Sequence, residues 1–353
     1  MSLDNLDALL EANAPTRILI EADLAPLQGS RFQPTGFPNL GAARFSAGKQ
    51  EILLVESAQS MANRLEATIW DDANHALIPE LSGLSYVRVD NPEHKRKDAK
   101  DDGYLTSSIR EAHRLNSPYI LEGKDQSFFK QLQEDLACDK AAEVSRKRLA
   151  TTLLRYDANA LLHGVFLSKG NLAGGRFRME RALSSFIEAT GISLAASSGV
   201  KKDHVKPDKD KAAGIDATTG FGNVIFTRDE YTAERITAFF NLDLKQIRTF
   251  GIDPVAQKLL VALALFKIRA LLEGDLRLRT ACDLQVNAIR VTRPEGFQLP
   301  ALAELRAALP SLVKACADKG LFADDNGVTR VVYEQRKAAK DAQTGGDSGD
   351  REE

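Results

Sequence analysis

Cysteine is scarce in this chain: Cys138, Cys282 and Cys316 are the only three in 353 residues. They are far apart, form no CxxC pair and have no histidine at metal-ligand spacing, which argues against a disulfide scaffold or a structural zinc site. Long apolar runs are missing too. The longest, Leu259 to Phe266 (LLVALALF), stops at Lys267, well short of the roughly 18 residues a membrane span needs. It reads as a buried helix. The opening MSLDNLDALLEANAP is acidic where a signal peptide needs positive charge. A soluble, cytoplasmic protein is expected. No GxGxxG follows a strand, and there is no GxSxG or HExxH. Gly36 and Gly41 have the glycine spacing of a phosphate loop, but Ala42 and Ala43 stand where Lys and Ser/Thr are needed. His163 lies in the apolar run ALLHGVFL and reads as a structural histidine. The pairs Asp71–Asp72 and Asp101–Asp102 are the commonplace acids of loop ends, and no metal site or cofactor is expected.

What is present is a globular composition, 43% hydrophobic and 27% charged, which excludes a disordered or fibrous chain. The net charge of −2 conceals an asymmetry. Residues 1–23 carry −4 and residues 338–353 carry −3, which leaves the body at +5. Within the body, residues 169–206 hold +4 and residues 267–293 hold +3. Binding to phosphate depends on such local potential rather than on the total.

The patterning predicts a mixed α/β body. Arg17 to Leu24, Glu51 to Glu56, Ala160 to Leu167, Leu284 to Val291 and Val328 to Tyr333 read as strands. Tyr86 begins a short strand followed by a charged loop to Gly103. Ser57 is placed to cap a helix over 58–70, with Met61, Leu65 and Ile69 inward and Gln59, Asn63 and Glu66 on a polar face. The spacing of Met179, Leu183, Phe186, Ile187 and Thr190 predicts a helix over 176–190. Asp253 caps a helix with Pro254 at its first position, running to about Leu272 and apolar nearly all round. Another helix spans Ala301 to Ala317. Residues 195–223 lack large apolar groups and read as an exposed excursion, and the acidic stretch from Ala338 reads as disordered. The expected domain plan is one body over 1–337, with insertions near 86–118 and 195–223, and a tail over 338–353.

Four segments carry something more specific: residues 29–43 (GSRFQPTGFPNLGAA), 54–66 (LVESAQSMANRLE), 105–119 (LTSSIREAHRLNSPY), and His163-Gly164 followed by 174–183 (GGRFRMERAL). Together they resemble the backbone subunit of the type I-G (formerly I-U) CRISPR Cascade surveillance complex, a RAMP-superfamily protein. The resemblance implies an α+β fold: a ferredoxin-like palm resembling an RNA-recognition motif, with finger insertions and a protruding thumb. It implies a non-catalytic subunit of antiviral defence whose copies polymerise along a CRISPR RNA. The implied partners are that RNA, the target DNA strand, further copies of the chain and other Cascade subunits. Aromatics are only 7%, and no strand shows the interleaved aromatics that stack bases, so recognition should run through the sugar-phosphate backbone.

Under that resemblance, the glycines of 29–43 let main-chain amides approach phosphates and Ser30, Arg31, Gln33 and Thr35 offer donors, while Asn63 lies on the polar helix face with Arg64 at its edge. Arg176, Arg178 and Arg181 are the best phosphate-binding candidates, with Lys169 beside them. Lys201, Lys202 and Lys206 mark the thumb or DNA-facing excursion. Two other readings stay open. Related type III subunits cleave target RNA with a loop aspartate and a metal, a role open to Asp101, Asp102 or Asp203. An α/β interaction module without nucleic acid would suit the pI of 6.3.

Overall fold

Period-two alternation dominates the main sheet. Ile18, Ile20, Ala22 and Leu24 of strand Arg17–Pro26 are buried while their neighbours are half-exposed. In register, they face Leu242, Phe240, Ala238 and Ile236 of strand Arg235–Asp243. Those in turn face Leu183, Ser185, Ile187 and Ala189 of strand Leu183–Thr190. One face of the sheet is therefore core by construction. The full antiparallel order is Leu276–Arg279, Cys282–Arg293, Arg17–Pro26, Arg235–Asp243, Leu183–Thr190, Gln50–Glu56 and Arg44–Ala47. The structure, a computed structural model, describes residues 4–37, 40–92, 103–137, 145–169, 172, 175–201, 224–323 and 326–334.

Helix Pro254–Glu273 shares one hydrophobic cluster with that face, and every residue from Leu259 to Ile268 is buried. Its start is set as the sequence indicates: the Asp253 side chain accepts from Val255 N at 2.9 Å, ahead of Pro254. Helices Ala58–Ala67 and Leu302–Asp318 pack against it. A smaller sheet sets Val328–Val332 parallel to Tyr86–Asp90, with Tyr104–Ser107 antiparallel on the far side. The result is a mixed α+β fold.

Two expectations are corrected. Residues 176–190 are not a helix: they form strands Phe177–Met179 and Leu183–Thr190, separated by Glu180, Arg181 and Ala182. The helical spacing was incidental, because burial alternates strictly from Leu183 to Thr190 and sheet neighbours on both sides supply the backbone partners. Residues 160–167 are not one strand. Ala160–His163 is a helical turn, and Gly164, at φ +77°, redirects the chain into strand Val165–Leu167. A Cβ there would lie 2.8 Å from the Met179 carbonyl oxygen, so only glycine fits.

The excursion at 195–223 starts as a hairpin, Ser193–Lys201 paired with Val224–Thr232. Its segment 202–223, the charged loop at 93–102 and the tail from 338 lie outside the described residues.

A candidate nucleic-acid interface

Glu66 is the hinge of the site and is misplaced by a surface reading. Helix Ala58–Ala67 is capped by the Ser57 hydroxyl, which accepts from Ser60 N, and Met61 and Leu65 point inward as expected. Glu66, however, is buried rather than on the polar face. Both its oxygens accept from Arg114, Oε1 from Nε and Oε2 from Nη2, each at 2.7 Å. Asn159 Nδ2 donates to the same Oε1 at 2.7 Å. Arg114 Nη1 also donates to the Gly164 carbonyl at 3.2 Å. Three of the four distinctive segments thus meet at one buried, charge-assisted fork.

The cationic side of this core continues into helix Pro254–Glu273. Lys267 is fully buried, donates to Asn159 Oδ1 and lies 2.9 Å from His163 Nε2. Burial first, with other charges modifying it, lowers its ammonium to a pKa of about 7. Burial and the nearby Lys267 hold His163 well below the usual imidazole range, so it stays neutral and serves as a structural acceptor. Asp157, also fully buried, is pushed up to about 7 by desolvation and then by Glu66.

Above this core opens a cleft of about 750 Å³, lined by residues 112–118 on one side and by 163–169 and 178–181 on the other. Strands Val165–Leu167 and Phe177–Met179 form its wall, with Phe166 directly across from Arg178. The Arg178 guanidinium sits 4.9 Å above the exposed Phe166 ring. Arg181 donates to the Ala58 carbonyl at 3.2 Å and to Gln59, which donates onward to Asn63 at 3.1 Å. Lys169 at the rim pairs with Glu122, and Asn116 clasps Ser168 through both its side-chain atoms. Glu180 is drawn off by Arg146, 2.8 Å away.

The cleft therefore gathers Lys169, Arg178 and Arg181, with exposed Arg176 just ahead of its wall strand. It does not gather the rest. Arg64 is spent on the fold, donating to the Arg277 and Leu278 carbonyls and lying 3.6 Å from buried Glu56. In the loop at 29–43, the amides of Phe32, Gln33 and Thr35 donate to Tyr231, Ala281 and Val55 carbonyls. Those amides are not available to phosphates, contrary to the expectation for that loop. Ser30 and Arg31 line a separate hollow of about 310 Å³, where Arg31 pairs with Glu230 at 3.3 Å. Lys201 is exposed at the end of its strand. Lys202, Lys206, Asp101, Asp102 and Asp203 lie outside the described residues. Asp71 is occupied as a turn acceptor for Ala73 and Asn74, and Asp72 pairs with Arg110.

Sequence reasoning missed Arg114, Phe166 and the cations of helix Arg146–Tyr156. Arg114 lies within the segment 105–119, but nothing local distinguishes a buried arginine from a solvated one. The run SRKRLATTLLR was legible as positive charge and was passed over in favour of 169–206 and 267–293. Four of the six cations in the latter block are spent on the fold, while Arg277 and Arg293 are exposed. Lys267 is buried, Arg269 donates to the Leu299 and Pro300 carbonyls, Arg279 holds Glu56, and Arg290 clamps Glu21 and Asp23.

An α+β scaffold thus sets arginines and a lysine around an open cleft, with Glu180 of the wall paired to Arg146. The family model of CRISPR-associated protein GSU0053 (Cas_GSU0053) matches residues 18–194, and the chain belongs to that CRISPR-associated family. No curated protein matches the chain. Among solved structures, a chain of a "CRISPR RNA-guided surveillance complex, pre-nicking" is 14% identical, covering 86% of this chain and 87% of that one with a TM-score of 0.40. Csc2 of Thermofilum pendens is 8% identical, covering 91% and 80% with a TM-score of 0.30. Among the described residues, no helix is long and apolar enough to cross a membrane.

Proposed function

We propose that this chain is the non-catalytic backbone subunit of a type I-G CRISPR surveillance complex, polymerising along the guide RNA and presenting it for pairing with target DNA. The observation that carries the reading is the cleft. The segments at 105–119 and 163–183 build its two walls, and Lys169, Arg178 and Arg181 stand around it. The strand order supports an RNA-recognition-motif-like palm. Arg17–Pro26, Leu183–Thr190, Arg235–Asp243 and Cys282–Arg293 follow the ferredoxin-like order 4-1-3-2, with helices Ala58–Ala67 and Pro254–Glu273 in the two crossovers. In this reading residues 1–337 are one body, the hairpin from Ser193 is the thumb, and residues 86–118 are a finger.

The backbone of the RNA, not its bases, carries most of the affinity. Lys169→Ala, Arg176→Ala and Arg178→Ala combined should weaken RNA binding about equally for unrelated spacer sequences. The salt dependence should flatten by roughly 0.7 in log K against log [salt] per lost contact. Arg181 is left in place because it braces the start of helix Ala58–Ala67. Thermal melts and binding at three salt concentrations test this. A folded variant with an unchanged slope moves the RNA elsewhere.

A further inference from the structure

Helix Arg146–Tyr156 has a sharply divided surface. Leu149, Ala150, Thr152, Leu153, Leu154 and Tyr156 are buried, and Lys147, Arg148, Thr151 and Arg155 are exposed. The helix carries four cations and no acid, three of them in its first turn. There the helix dipole is positive and repels them. A solvated helix face usually mixes signs, and among the described residues many exposed cations do find acids: Arg44 with Glu51, Lys124 with Glu334, Arg330 with Asp90. Among the described residues, neither Lys147 nor Arg148 lies in an ion pair. The recess they border, about 370 Å³, contains one acid, Asp135. Its oxygens already accept from the Tyr156 hydroxyl at 2.6 Å and from Gln131 at 3.2 Å. The stripe is continuous with the cleft, because Arg146 at its start holds Glu180 on the cleft wall.

We infer that Lys147, Arg148 and Arg155 form a second polyanion track, which takes the phosphodiester backbone of a single-stranded nucleic acid. The inference rests on the nucleic-acid reading of the protein but not on the cleft being the RNA path. Charge complementarity selects the occupant: three cations spread over two helical turns border one recess, and the Ser145 hydroxyl lies in it as well, whereas the Thr151 hydroxyl is taken by the Lys147 carbonyl. The two sources of that chemistry, guide RNA and a DNA strand, are separated by the test.

The full chain carrying Lys147→Gln, Arg148→Gln and Arg155→Gln keeps good helix formers at all three positions. Its binding to labelled single-stranded RNA and to DNA of matched sequence is measured at three salt concentrations. The expected result is roughly tenfold weaker binding to one or both polymers, with a slope about 2 shallower. Loss with RNA alone assigns the track to the guide, and loss with DNA alone assigns it to a DNA strand. The melting temperature should hold or rise, because repulsion in the first turn is relieved. A folded variant with unchanged affinity and slope for both polymers overturns the inference, including the case in which an acidic protein is the true occupant. The cleft variant is run alongside. If it alone loses binding, the track fails and the cleft reading stands; if the helix variant alone loses binding, the reverse holds.

Discussion

Arg114→Ala should cost about 3–5 kcal/mol of folding stability, the range for removing one partner of a buried ion pair. Arg114 and Glu66 are each under a tenth exposed at the side chain, 7% and 6%. Without the guanidinium, Glu66 keeps only Asn159 as a hydrogen-bond donor, and the Gly164 carbonyl loses the Arg114 donor. The backbone adds a second, separable effect. Arg114 sits at φ +48°, a region that disfavours any residue with a Cβ by about 1–2 kcal/mol. Arg114→Gly removes the same side chain but relieves that strain, so it should be the milder substitution by about 1 kcal/mol. Urea denaturation followed by circular dichroism measures both. A loss below about 1 kcal/mol for Arg114→Ala would show that the fork does not hold the three segments together.

Asp157→Asn should make the protein more stable at neutral and alkaline pH, by up to about 4 kcal/mol, and leave it nearly unchanged near pH 4. The folded protein holds the Asp157 proton to a pKa of about 7, against 3.8 for an ordinary aspartate. Between those values unfolding releases a proton, so stability falls as pH rises through the window and is flat above it. Lys267 acts in the opposite sense. Its pKa of about 7, against the ordinary 10.5, means unfolding takes up a proton between those values, so stability recovers as pH rises above neutral. Together the two groups give the wild type a minimum of stability near pH 7, and the substitution removes its acid-side limb. Denaturant midpoints from pH 4 to pH 9 decide it. Parallel profiles for the two proteins would mean that Asp157 is not perturbed.

The parts of the fold that were legible in the sequence are those whose signal is local. Strand Arg17–Pro26 alternates, Ser57 and Asp253 cap the helices they precede, and helix Pro254–Glu273 is apolar around its whole circumference. What was misread depends on neighbours distant in sequence. Leu183–Thr190 becomes a strand because Arg235–Asp243 and Gln50–Glu56 offer it backbone on both edges, and no window of residues 176–190 contains that fact. The site divides the same way. Lys169, Arg178 and Arg181, singled out by local charge, line the cleft, whereas Arg64 carries the same charge and is a brace for backbone carbonyls. Glu66 is the extreme case, a helix-face carboxylate whose partner lies 48 residues away.

The reading as a guide-RNA backbone is tested most directly by purifying the full chain after co-expression with a CRISPR array and its processing nuclease. The account predicts a high-mass particle containing CRISPR RNA, with a high ratio of absorbance at 260 to 280 nm, that shrinks on nuclease treatment. An RNA-free monomer from the same co-expression would contradict it.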